Sequence, residues 1–328
     1  MRIGIWLQPN THPRAVVDQI CRAERLGFDF VGLTDGQMIW RDVYVCLAAA
    51  AVRTERVRLG TWVTNAVTRH PTVTANTGCT LNELSGGRAF IGIGSGDDSV
   101  ITINRERSTL KELAGVVELM QRLARGEEID AGAGERTWTL STGGGAWRLP
   151  IYWAGAGPRS LEYAGRHADG VIHSGWFVPE LMEQDMAAIQ RGIESRAAPG
   201  PFDTYFNTAV SIHDDEAVAY EWARPYAARA FIDNSSPRVP GWSEEDRVAL
   251  RKQYEYYDHF SPRNRAVQSV PESLISKKVA VGRPAEVARQ LRLVADAGYT
   301  HAGFFPVGDA EHVMQALATE VLPALRAR

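Results

Sequence analysis

Two carboxylates stand side by side in residues 88–100, RAFIGIGSGDDSV, just after an apolar run breaks into alternating glycines. Adjacent acids suit proton transfer, because like-charge repulsion raises the pKa of one and leaves it holding a proton nearer neutrality. On this reading Asp97 is the proton donor and Asp98 the neighbour that raises its pKa. The competing reading is a solvated turn in which the acids cap the following loop. The pair argues against a phosphate at this strand end, since two negative charges at low dielectric repel it by several kcal/mol. The glycines, with Gly94 and Ser95 at the turn, instead let a flat ring approach closely.

A better anion site follows the next strand. In WAGAGPRSLEYAG the small residues Gly155, Ala156 and Gly157 lead through Pro158 into a helix, no acid intervenes before Glu162, and Arg159 adds positive charge. Backbone N–H groups and the helix dipole would hold a phosphate there. One strand later, HSGW offers Ser174 and Gly175 as further donors, while His173 reads equally as a packed or a catalytic histidine. Earlier strand ends supply Asp35 and Trp40 in TDGQMIWRD, and Asn65, Arg69 and His70 in GTWVTNAVTRHP. As turn and packing residues Asp35 and Trp40 are also unremarkable. No HxH or similar motif surrounds His70 or His173, which argues against a metal-dependent hydrolase.

The elements that must position these residues alternate. Strand patterns at 3–7, 28–35, 57–65, 88–94, 151–157, 170–176, 204–213 and 302–307 are separated by stretches of helical periodicity, such as that from Pro13 to Gly27 with Val16, Val17, Ile20, Ala23 and Leu26 on one face. Strands joined by helices pair in parallel, and eight of them fit a closed α/β barrel, a (β/α)8 TIM barrel spanning residues 1–328 as a single domain. A doubly wound open sheet would need a glycine fingerprint after the first strand, where QPNTHP stands instead. Two insertions interrupt the pattern, at about 126–149, where a short hairpin is expected, and at about 232–280. The aromatic stretch EYEYYDHFSPRNR in the second could shape the site or form the insertion's own core.

Composition narrows the partners. With 45% hydrophobic and 23% charged residues and a net charge of -3, the chain has neither the basic surplus that nucleic acid attracts nor a membrane span, and a small-molecule substrate is expected. The start, MRIGIWLQPN, is too short for a signal-peptide core and too alternating for a membrane span, so a cytoplasmic location is expected. Cys21, Cys46 and Cys79 have no spacing for zinc or redox exchange and read as buried core.

The combination VTNAVTRHPTVTA, GGRAFIGIGSGDDSV and PIYWAGAGPRSLEYAGRHADGVI, followed by KKVAVGRPAEVARQL and the last strand, resembles the luciferase-like flavin and deazaflavin oxidoreductase superfamily. Within it the chain resembles the coenzyme F420 branch, including methylenetetrahydromethanopterin reductases and F420-dependent glucose-6-phosphate dehydrogenases. The resemblance implies a TIM barrel with the cofactor ring at its carboxyl end, near Asp35, Asn65, Gly94 and Ser95, supported by a non-prolyl cis peptide that here would be Trp62–Val63. It places Trp40 beside the ring and Asp97 at the position of a family acid, with Asp97, Asp35 and Trp40 as the expected catalytic residues. Several dehydrogenase members carry Asp-His at the second strand end; here the pair is Asp35-Gly36, so that base is missing. A phosphate-binding lysine of the dehydrogenases corresponds to Trp176, and Lys277 or Lys278 matches another near the tail, with Lys277 taken as the cofactor ligand.

An acid without a base fits proton delivery during reduction. The resemblance therefore implies a reductase moving hydride from reduced F420 to an activated C=C or C=N acceptor. The alternative is a luciferase-like monooxygenase using reduced FMN and oxygen; a binding protein without chemistry is a third reading. The helix VYVCLAAAAVRT is apolar around most of its circumference and is expected to pack against a second subunit in a homodimer.

Overall fold

The computed structural model describes residues 1–130, 137–142, 145–197 and 200–326. Eleven strands follow in chain order: β1 (Arg2–Leu7), β2 (Phe30–Leu33), β3 (Arg58–Asn65), β4 (Ala89–Gly94), β5 (Ile129–Asp130), β6 (Thr137–Trp138), β7 (Ile151–Gly155), β8 (Gly170–His173), β9 (Asp203–Ile212), β10 (Ala280–Gly282) and β11 (His301–Pro306). Eight of them close a parallel ring in the order β1-β2-β3-β4-β7-β8-β9-β11, with β11 returning to β1. This is the (β/α)8 barrel expected from the alternation. β5 and β6 form the expected antiparallel hairpin in the first insertion; residues 131–136 and 143–144 of that insertion lie outside the described residues.

The ring is covered by α1 (Pro13–Arg25), α2 (Val43–Ala51), α3 (Pro71–Leu84), α5 (Leu110–Ala124), α6 (Pro158–His167), α7 (Pro179–Glu194) and α8 (Glu216–Phe231), while a short α4 (Asp98–Ile101) sits between β4 and α5. Strands shielded on both faces read as continuous apolar runs rather than alternating ones, and all six residues of β4 are buried. The barrel interior is aromatic. Trp62 projects inward, stacks on Phe30 at 5.4 Å and donates from Nε1 to Asn207 Oδ1 at 2.9 Å. Glycines at Gly32 and Gly303 make the room: a Cβ would come within 2.5 Å of the Trp62 side chain at the first and 2.6 Å at the second.

Two strands stop earlier than their sequence suggests. β2 ends at Leu33, and β8 ends at His173, before Ser174 and Gly175. Beyond that point β10, three residues at the end of the second insertion that sequence reading overlooked, pairs with β9 at Val210 to Ile212. Cys21, Cys46 and Cys79 are free and buried, as expected.

Candidate active site

The carboxyl ends of the barrel strands surround a cavity of about 440 Å³. Asp35, Trp40, Trp62, Val63, Asn65, Gly94, Ser95, Asp97, Gly155, Ala156, Gly157, Pro158 and Ser174 all line it. Gly175 and Lys277 do not. The second insertion closes the cavity from above with Asp233, Arg238, His259 and Phe260, so its aromatics serve both its own core and the site.

On one side are the ends of β2, β3 and β4. The Trp62–Val63 peptide is cis, as the resemblance implied. Asp35 is buried and committed: its carboxylate accepts from Thr64 Oγ1 at 2.7 Å and from the Arg69 guanidinium, which also reaches Asp42. Asn65 is likewise engaged, donating to Ser99 Oγ and Thr68 Oγ1 and accepting from the backbone N–H of Val67 and Thr68. Trp40 is buried and meets the ring of His259 edge to face at 5.9 Å.

The acid pair behaves opposite to the sequence expectation. Asp97 accepts from Arg107 at one oxygen and from Arg229 Nε, at 3.0 Å, and Nη2 at the other. Burial pushes its carboxyl up, but the charges of Arg229 and Arg107 outweigh burial and hold the pKa down to about 2. Asp98, at the start of α4, is pushed up to about 7 by burial and by the charge of Asp97, against the opposing charge of Arg229. The member that holds a proton near neutrality is therefore Asp98, because the guanidinium groups reach its neighbour first. His259 is kept unprotonated, its pKa lowered to about 3 by burial and by the charge of Arg229. Asp97, Asp98 and His259 offer potential metal-ligand atoms within 4.8 Å of one another, but the two arginines already supply the positive charge that a cation would.

On the opposite side lies an anion cradle. Gly157 caps the N-terminus of α6 with no side-chain hydrogen bond, and a Cβ there would meet nothing within 4 Å, so the helix end opens into the cavity. Neither lysine lines the cavity; Lys278 is buried behind the cradle and touches its lining through Ser174. Lys277 Nζ turns away to the carbonyl of Pro240 at 2.7 Å, whereas Lys278 Nζ donates to Gly175 O at 2.7 Å and Ser174 Oγ at 2.9 Å and lies 4.8 Å from the Trp176 ring centroid. Both lysines lie in the turn that leads into β10, and the turn sends their side chains to different sides. Burial lowers the Lys278 pKa to about 7, with Asp233 opposing and Arg229 adding to the shift. His173 proves to be a core residue, fully buried, paired through Nδ1 with Tyr299 at 2.7 Å and with Asp185 3.2 Å from Nε2.

Sequence reasoning missed Arg107, Arg229, Asn207 and His259. For Arg229 a signal existed: it is the one charge in the otherwise apolar run AARAF of α8, and it pairs one turn on with Asp233 at 2.7 Å.

A family model for luciferase-like monooxygenases matches residues 1–301. The chain is 30% identical to a 5,10-methylenetetrahydromethanopterin reductase of Archaeoglobus fulgidus, over 99% of this chain and 100% of the relative. It is also 30% identical to an F420-dependent glucose-6-phosphate dehydrogenase of Intrasporangium calvum, over 96% of this chain and 95% of the relative. Among solved structures, the coenzyme F420 dependent tetrahydromethanopterin reductase of Methanopyrus kandleri superposes with a TM-score of 0.80 at 24% identity, covering 99% of both chains. With the barrel and its cis peptide in place and the match running through nearly every strand, the chain belongs to the luciferase-like monooxygenase family.

Proposed function

We propose that this protein is a coenzyme F420-dependent oxidoreductase that works as a reductase on a small molecule carrying an activated C=C or C=N bond. The observation that carries this reading is a buried carboxyl poised to hold a proton on one wall of the cavity, with Gly36 where a base would stand and the nearby His259 kept neutral. That arrangement keeps a proton available for delivery to an acceptor. The relatives named as F420-dependent, matched over almost their whole length, support the choice of cofactor.

The residues present fit such a group. Gly94, Val63 and Trp62 leave a slot for a flat tricyclic ring, and the open end of α6 at Gly157 with Ser174, which the buried Lys278 backs with its charge, suits a phosphate. When bound, reduced F420 supplies the hydride, and as a 5-deazaflavin it reacts only slowly with oxygen. Asp35 keeps Arg69 and Thr64 in place under the loop after β3, and the neutral His259 meets Trp40 at the cavity wall beside the acid pair. Asp97 is a positioning residue that fixes Arg107 and Arg229 at the cavity wall.

Among the described residues no helix is long and apolar enough to cross a membrane. Three free buried cysteines accord with a reducing, cytoplasmic setting. We also read the protein as a homodimer joined through α2.

Equilibrium binding of the purified protein to F420 and to FMN, followed by the fluorescence of each, tests the reading. Tight F420 binding with weak FMN binding is expected. The reverse would replace it with an oxygen-dependent FMN monooxygenase.

A further inference from the structure

We propose that Asp98, which lines the cavity and fills the space that a side chain at Gly36 would take, is the catalytic acid of this enzyme. The inference rests on the reductase reading above and deepens it by assigning the proton.

Three observations lead to it. First, Asp97 is spent: both of its oxygens accept from guanidinium groups, so a proton there would break the contacts with Arg107 and Arg229. Second, Asp98 lines the cavity at 7% exposure, and its Oδ2 is buried with no hydrogen-bond partner among the described residues. An unpartnered buried carboxylate oxygen is costly, whereas a protonated one keeps a donor ready for a ligand. Third, a Cβ built on Gly36 would strike Asp98 Oδ2 and come within 2.7 Å of Trp40 Cε3. The glycine in the loop after β2 therefore leaves room for the carboxyl of the acid at the start of α4.

The surroundings favour a carboxyl that changes protonation in the working range. Asp97 adjoins it, Arg107 and Arg229 hold Asp97, and His259, Tyr254 and Tyr256 close in from the second insertion, packed against α4. His259 stays neutral, and the tyrosine hydroxyls are pushed above their usual range by burial. Asp98 is thus the group there whose pKa falls near neutrality, at about 7.

The step balances. A new C–H or N–H bond forms as the O–H bond of the Asp98 carboxyl breaks and its proton passes to the acceptor. The acceptor's multiple bond is reduced by that proton and by the hydride that reduced F420 gives up on being oxidised. The carboxylate left behind takes a proton from solvent.

Infrared pH-difference spectra of the unliganded chain, read for the protonated-carboxyl band that Asp98→Asn removes, give a readout independent of turnover. A midpoint near 7 is expected. In Asp97→Asn the midpoint should fall, because the neighbouring negative charge is gone and Arg229 is freed to act on Asp98. With reduced F420 and cyclohexenone as probe acceptor, wild-type turnover should decline as pH rises through that midpoint. Asp98→Asn should bind F420 as wild type does, lose about 100-fold in turnover, and show no pH-dependent limb. Asp98→Glu should recover the limb. A midpoint in the ordinary carboxylate range near about 4, or an unchanged pH profile in Asp98→Asn, overturns the proposal. Failure of the wild-type chain to bind F420 would instead bring down the reductase reading, and the infrared midpoint would still decide whether Asp98 holds the proton.

Discussion

Guanidinium groups distributed unevenly over two neighbouring carboxylates have consequences for stability as well as for chemistry. Asp97, with its pKa lowered to about 2, contributes stability that is present above the ordinary carboxylate range and is lost as pH falls through the folded value. Asp98, raised to about 7, acts with the opposite sign: its contribution is full below the ordinary value and disappears as pH rises through the folded one. The shift amounts to something on the order of 4 kcal/mol between the two limits. Asp98→Asn, neutral at every pH, should therefore raise the urea midpoint relative to wild type at about pH 8 and change it far less at about pH 5. Equal effects at both would show that Asp98 is ionised at both, with a pKa in the ordinary carboxylate range. The sequence made the pair visible as an acid dyad, but not which member would hold the proton. That depends on Arg229, 132 positions away, whose reach across the cavity mouth is a property of the closed barrel.

At the scale of elements, the strands that form the ring were readable because burial on both faces writes them as apolar runs, as in FVGL of β2 and AFIGIG of β4. Their ends were not. Pairing of β8 with β9 stops at His173 and Phe206, and β10 pairs with the same edge of β9 further on, from Val210. A three-residue strand such as β10 is too short to show a period. The turn into β10 brings Lys278 to Ser174 and Gly175 and turns Lys277 outward. Lys278→Ala should weaken F420 binding by about tenfold or more, which is about 1.4 kcal/mol, while Lys277→Ala leaves it unchanged. Fluorescence titration of both variants distinguishes them, and an equal loss in the two would return the phosphate to the surface lysine.

Over the whole molecule, α2 remains the least satisfied element. Its inner face is buried through Val43, Cys46, Leu47 and Ala50, yet Val45 is 65% exposed and Val52, just past its end, 64% exposed. Val73 of the adjacent α3 is 51% exposed. A row of bare valines across neighbouring helices is the kind of surface that a second copy covers. Static light scattering at micromolar concentration should give a dimer, and Val45→Glu combined with Val73→Glu should give a monomer with the barrel intact by circular dichroism. A wild-type monomer would remove this interface. The apolar circumference of α2 was legible in VYVCLAAAAVRT; what the sequence could not show was which valines stay bare after the barrel has covered the rest.

The aromatic lining of the barrel has an optical consequence. Trp6, Trp40 and Trp62, three of the nine tryptophans, sit in the wall of the cavity, and the Trp62 indole lies beside the cis peptide expected to support the ring. Indole emission overlaps the near-ultraviolet absorption of flavin-like chromophores, so these three residues are placed to lose their excitation to a bound ring by energy transfer. Filling the cavity should dim the protein's own light, and replacing Trp40 with Phe should remove part of that loss, giving an unlabelled gauge of how many molecules hold their cofactor.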